Sequence, residues 1–243
     1  MVDTLIQQGR SWPTLIKSPA GLPRRGLVLA HDLVALAETQ SVPSLFGLTQ
    51  PLQRGSTSGA DSADFALGAS GAVFTTDDYG LTENLAGVTM AGDWTAILVH
   101  AGLQRAANYA WSISVAGSYR SHNITGNATG IRISTNDATT ERYSDIITTD
   151  ASAVQACVLW QSSGTLYLKS MDAGQTVSLT GQPSAGAVRI GLMCQAASTP
   201  RAIMTQGTIP FHAFYNRALS TAEIARAYRF IKARMAAKGI VVL

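Results

Sequence analysis

Residue types able to do chemistry are sparse in this chain, and their spacing excludes more than it suggests. The four histidines are His31, His100, His122 and His212. None stands at metal-binding spacing from another His or from a Cys. His100 and His212 close apolar runs, where a hydrogen-bonded structural histidine is the expectation. The two cysteines, Cys157 and Cys194, each sit inside an apolar, strand-like run. They read as two buried free thiols rather than a bridge, because free Cys is among the most buried residue types. Their separation is unlike a zinc site, and no Cys-x-x-Cys occurs. Ser, His and Asp are present, but no G-x-S-x-G elbow supports a nucleophilic triad. Asp77-Asp78 and Asn136-Asp137 have oxygens for a calcium ion, although an ordinary Asx turn accounts for each pair. The sequence therefore implies no catalytic residue, no cofactor and no metal.

Aromatic residues are the other chemical resource, since glycan-binding modules stack sugar rings on Trp or Tyr. Trp94 and Trp160 lie in apolar strands, and Trp111 shares a face with Tyr109 and Ile113, so all three read as core. Tyr119, His122 and Asn123 fall in a polar stretch, 117–129, that reads as loop together with 135–145. Loops are where variable surface chemistry concentrates, so these three are the candidate glycan contacts. Asn123-Ile124-Thr125 and Asn127-Ala128-Thr129 match the glycosylation sequon. With no signal peptide, they read as chance matches in a Thr-rich stretch.

The elements that must position such residues are most legible near the C-terminus. Ile209, Phe211, Ala213 and Tyr215 alternate on one face of a strand. Ser220 and Glu223 then form a capping box, with Leu219 and Ile224 at hydrophobic-staple spacing. Ile224, Ala227, Tyr228, Ile231 and Met235 recur at helical spacing, and Gly239 is placed to end the helix. Earlier strands are expected at Gly26–His31, Asp93–His100, Asn108–Val115, Gly130–Ser134, Val154–Trp160 and Val188–Cys194. Ser162-Ser163-Gly164 should turn the fifth of these into Thr165–Ser170 as a hairpin.

Phe214-Tyr215-Asn216-Arg217-Ala218-Leu219-Ser220-Thr221-Ala222-Glu223-Ile224 resembles the closing motif of laminin-G-like, concanavalin A-like jelly-roll domains. Gly71–Tyr79 resembles an early aromatic-to-Asp-Tyr region of that family, with Thr75 in place of its usual Gly. Val188–Cys194 is similar to its "L-x-I-G" strand. The resemblance spans about residues 26–240. It implies an all-β, two-sheet antiparallel jelly-roll sandwich with a C-terminal helix at about 220–238. The related glycanases carry an E-x-D-x-E strand, because two carboxylates must flank the scissile bond. Glu38, Glu83, Glu141 and Glu223 are isolated here, so the expectation is that the chain is not an enzyme.

Of 243 residues, 46% are hydrophobic and only 14% charged, with a formal net charge of +3. That balance is too weak to imply nucleic-acid binding. No signal peptide and no apolar span mark the chain for a membrane. Residues 1–25 are broken by Pro and Gly yet carry Leu5, Ile6, Trp12, Leu15 and Ile16, with Arg24 and Arg25 at the junction. They read as an extended arm, before a domain at 26–243, that docks on its own domain or on a neighbour in assembly. Similar jelly rolls occur as tailed-phage virion proteins, so the resemblance implies a structural virion component: a capsid decoration, head fibre or tail or baseplate protein. Its partners would be other virion proteins in a homo-oligomer or symmetric assembly, after synthesis in the host cytoplasm. The alternative is a lectin-like module mediating attachment to host-surface glycan.

Overall fold

The computed structural model describes residues 22–34, 41–42, 52–54, 65–74, 81–85, 88–103, 108–115, 120–127, 129–137, 139–150, 152–181, 186, 188–193 and 207–243. Among these the strands, in chain order, are β1 (Leu27–Asp32), β2 (Ser41–Val42), β3 (Leu52–Arg54), β4 (Phe65–Gly68), β5 (Gly71–Phe74) and β6 (Leu81–Leu85). The series continues with β7 (Trp94–Ala101), β8 (Asn108–Val115), β9 (Arg120–Asn127), β10 (Gly130–Asp137), β11 (Glu141–Tyr143) and β12 (Ile147–Thr148). It ends with β13 (Gln155–Ser162), β14 (Thr165–Ser170), β15 (Thr176–Thr180), β16 (Val188–Leu192), β17 (Gly207–Tyr215) and the helix α1 (Thr221–Ala236).

These strands form an all-β, two-sheet antiparallel sandwich of jelly-roll type with one C-terminal helix. The first sheet runs β15-β14-β13-β7-β17-β5-β4, with β1 also on β17. The second runs β11-β10-β9-β8-β16-β6-β3-β2, with β12 also on β10. Between the sheets lies an apolar cluster that includes Trp94, Leu98, Trp111, Ile113, Ile124, Ile133, Leu159, Leu168 and Phe214. Trp94 stands 5.6 Å from Trp111 and 6.0 Å from Phe214, centroid to centroid. Trp111 donates its indole N–H to His212 Nε2 at 2.9 Å, which satisfies a donor that burial would otherwise leave costly.

A second apolar cluster lies outside the first sheet. It joins Ile97, Val99, Val158, Phe211, Ala213 and Tyr215 to Ile224, Ala227, Ile231 and Met235 of α1. Leu22 belongs to it as well, so the chain is docked on the sandwich before β1 begins. Ile209 does not share the face of Phe211, Ala213 and Tyr215, contrary to simple alternation. It lies in the inter-sheet cluster, because the register of β17 shifts between Thr208 and Phe211. Pro210 sits in that shift. A proline cannot donate to a ladder, so a central strand tolerates it only at such an irregularity.

The helix is held as its local sequence dictates. Glu223 N–H bonds to Ser220 Oγ, and Ser220 N–H to Glu223 Oε2. Arg217 grips the same carboxylate at 2.5 and 2.9 Å, which holds Glu223 well below the usual carboxylate range, at about 2. At the far end Asp32 of β1 accepts from Arg234 at 2.5 Å and pairs with Lys238 at 2.8 Å. Ile240 N–H returns to Met235 O beyond Gly239, which takes φ +79°.

Candidate functional site

Cross-strand register places Tyr215 beside Thr95, Thr95 beside Trp160, Trp160 beside Tyr167, and Tyr167 beside Ser178. Register partners share a face, so these five residues form one row on the outer side of the first sheet. The helix entrance crosses the near half. Thr95 Oγ1 donates to Arg217 O at 2.9 Å and accepts from Leu219 N–H at 3.0 Å. Tyr215 and Thr95 are fully buried there, and burial pushes the Tyr215 hydroxyl well above its ordinary pKa.

Past the helix the row opens. Trp160 and Tyr167 are half-buried, and their rings stack at 5.2 Å with 16° between planes. Lys169 lies two residues along β14 from Tyr167, on the same face and opposite Thr176. Thr176, Ser178 and Thr180 of β15 are exposed on that face. The hairpin that brings Trp160 against Tyr167 turns through Ser163 and Gly164, both at positive φ (50° and 79°), as a two-residue hairpin turn of type I′ requires. The result is a shelf: a Trp–Tyr pair stacked ring on ring on the sheet, with the hydroxyl residues of β15 and Lys169 on the same face. Such a surface fits a flat ligand with an apolar face and a polar edge.

Sequence reasoning assigned Trp160 to the core, and it does pack, partly buried, against the helix-side cluster; what that reading missed is the shelf it forms with Tyr167. The signal was present in Thr165–Ser170, where Leu166 and Leu168 alternate with Tyr167 and Lys169 and are buried while the latter are not. The residues expected to touch glycan are placed otherwise. Tyr119 lies outside the described residues. Arg120–Asn127 is strand β9 rather than loop, and the strand expected at Gly130–Ser134 runs on to Asp137, into the stretch read as loop. His122 and Asn123 are fully buried and point to opposite faces. His122 stacks on Trp94 at 6.1 Å inside the sandwich. Asn123 lies on the outer face of the second sheet, where its Nδ2 donates to Ser121 Oγ and Ser134 Oγ at 3.1 Å each. Both are buried, and neither joins the shelf.

Of the residues expected in assembly, Leu5, Ile6, Trp12, Leu15 and Ile16 lie outside the described residues. Arg24 and Arg25 are exposed at a turn, and Arg25 O accepts from Arg217 Nε–H at 2.8 Å. Among the described residues no three His, Cys, Asp or Glu converge to hold a metal. Asp77 and Asp78 are outside them, and Asp137 Oδ1 accepts from Thr139 and Thr140 N–H as an Asx turn. No described helix is long and apolar enough to cross a membrane. Cys157 is free and buried, and burial raises its thiol pKa; Cys194 is not among the described residues. His100 is buried, and desolvation lowers its pKa to about 4 against the opposing pull of Asp172.

No family model matches the chain, and no curated protein matches it. Solved structures do. It is similar to a Trypanosoma rangeli sialidase, with 13% identity, TM-score 0.57, and coverage of 88% of this chain and 34% of that one. The same sialidase bound to 2,3-difluoro-KDN gives TM-score 0.62 at 13% identity, covering 96% of this chain and 38% of that one. A mutant of it displaying trans-sialidase activity gives TM-score 0.61 at 13% identity, covering 96% and 37%. The chain thus spans a little over a third of the length of these proteins. The likeness is one of fold. It corrects the expectation that the chain is not an enzyme: that expectation rested on carboxylate spacing, and solved structures sharing this fold include sialidases and a trans-sialidase variant.

Proposed function

We propose that the protein is a carbohydrate-binding, lectin-like sandwich, and that its sugar site is the Trp160–Tyr167 shelf. The observation that carries this is the pair of near-parallel, half-buried rings bordered by Ser178, Thr176, Thr180 and Lys169 on one face. A pyranose has the matching chemistry, with C–H groups on its face and hydroxyls around its edge. Lys169 adds a cation within the same grid, which suits a sugar bearing a carboxylate. The sialidase neighbours, one of them solved with sialic acid, make sialylated oligosaccharide the first ligand to test. The Phe214–Ile224 motif supports placing the sandwich with laminin-G-like, concanavalin A-like modules. Attachment of a phage virion to host glycan is the setting in which that motif and this shelf would act together.

Calorimetric titration with sialyllactose and with cell-surface polysaccharide tests the reading, with release of free sialic acid followed in the same samples. Tyr167→Ser and Trp160→Ala should each weaken binding by about tenfold or more, since losing a stacked ring removes about 1.4 kcal/mol or more. Equal affinity in parent and variants would move the site away from the shelf. A full glycan array left blank by the parent would end the carbohydrate reading altogether.

A further inference from the structure

The strand that borders the shelf is also a sheet edge. β15 ends the strand order of the first sheet, and among the described residues only β14 pairs with it. The phase of that ladder is fixed at both ends. Ser170 N–H bonds to Gln175 O at 3.1 Å, and Gly181 N–H to Gly164 O at 2.8 Å. Hydrogen-bonded pairs alternate along an antiparallel ladder, so Val177 and Leu179 bond inward to β14. The backbone N–H and C=O of Thr176, Ser178 and Thr180 therefore point outward, and the side chains of all three are exposed.

Natural edges of this kind are usually blunted by a charge, a proline or a bulge. Thr176-Val177-Ser178-Leu179-Thr180 has none of these. Its sequence is instead nearly symmetric about Ser178, with hydroxyl at 176 and 180 and aliphatic at 177 and 179. Val177 and Leu179 pack against the inter-sheet cluster yet stay only partly buried, so that cluster is unfinished at this edge.

From this geometry we infer that β15 is a self-pairing edge: a second copy of the chain joins it antiparallel about a two-fold axis through Ser178. Ser178 then faces the partner's Ser178, Thr176 faces the partner's Thr180, and Val177 faces the partner's Leu179. The outward groups of three residues on each copy supply about six interstrand hydrogen bonds. Hydroxyl pairs fall on the outer face, where facing Thr and Ser side chains are favourable neighbours. Aliphatic pairs fall on the inner face and complete the partly buried apolar edge. A second copy is the occupant because the hydroxyl–aliphatic alternation reads the same in either direction, so β15 is its own complement at every position. The two Trp160–Tyr167 shelves come to lie on one continuous sheet face, separated by the paired edge. The inference stands on the edge alone and does not require the carbohydrate reading.

Sedimentation equilibrium of the full chain over a concentration series up to high micromolar tests it. So short an edge should give a dimer with Kd on the order of micromolar, seen as a rise from 25.5 kDa toward twice that mass. Ser178→Pro removes an outward N–H that the monomer ladder does not use, so the fold, followed by circular dichroism, should persist while the dimer weakens at least tenfold. The register is tested by charge. Thr176→Lys combined with Thr180→Glu should preserve the dimer, and Thr176→Lys combined with Thr180→Lys should abolish it. A parent that stays at 25.5 kDa throughout, or a dimer indifferent to Ser178→Pro and to both charge pairs, overturns the inference.

Discussion

One row of the first sheet holds two tyrosines with opposite fates. Tyr215 lies under the entrance of α1 and is fully buried, whereas Tyr167, three strands along the same row, is only partly buried and stacked on Trp160. The pleat, the face and the residue type are the same. What differs is the cover. The helix packs with β17, β7 and the near side of β13, anchored by Arg217, Glu223 and Thr95, and at the margin of that cluster Trp160 and Met171 are only partly buried. An aromatic on such a sheet is core or binding surface according to where the closing helix stops.

The largest test of that contrast removes the cover's apolar contact. Ile231 is fully buried against the sheet, so Ile231→Ala should cost roughly 2–4 kcal/mol of stability, read from urea midpoints. At temperatures where the variant stays folded, its affinity for glycan should equal the parent's, because the shelf lies beyond the helix. A matching midpoint would show that α1 is not docked. A parallel loss of affinity would show that the shelf depends on the helix.

Acid separates the sandwich from its helix clamp. His100, inside the sandwich, has its pKa lowered to about 4 by burial. The unfolded chain takes up that proton near the ordinary value of 6.5. Stability therefore falls as pH drops from about 6.5 to 4, by about 3 kcal/mol, and levels off below. Glu223 is depressed to about 2, chiefly by Arg217. Its contribution is intact above about 4.5 and declines as pH falls toward 2. A His100→Gln variant should thus lose its pH dependence relative to the parent in the upper window only. If the two curves run parallel from pH 7 to 4, His100 is not buried as described.

The cover was more legible in the sequence than the site. Ser220, Glu223, Leu219 and Gly239 act through groups a few residues away, so their spacing alone announces them. Ser220→Ala should cost about 1 kcal/mol through the lost cap, measurable as a midpoint shift smaller than that of Ile231→Ala. The facing of Trp160 was not legible, because Gln155–Trp160 is covered on both faces for most of its length and an unbroken apolar run has no visible period. Strand β9 was hidden for the converse reason. Its inward positions are His122, Ile124 and Gly126, its outward ones Ser121, Asn123 and Thr125, and hydrophobicity barely alternates between them. Ile209 was assigned to the wrong face because a register shift at Pro210 follows from pairing with β7, which no local pattern encodes.

The smallest expected effect is the sharpest test of the two tyrosines. The Tyr215 hydroxyl is buried without a hydrogen-bond partner among the described residues, and burial without a partner is a cost rather than a contribution. Tyr215→Phe keeps the ring packed on Ile224 and its neighbours and deletes only the oxygen. Stability should stay level or rise by up to about 1 kcal/mol. At Tyr167 the same change removes a hydroxyl from a partly buried ring, so stability should move by less than about 0.5 kcal/mol either way. The difference lies in binding: Tyr167→Phe, at the shelf rim, should alter glycan affinity, and Tyr215→Phe should not. A loss of more than about 1 kcal/mol at Tyr215 would reveal a partner for its hydroxyl. It would make the covered half of the row a polar junction between sheet and helix, and the division into sealed core and open shelf would have to be drawn elsewhere.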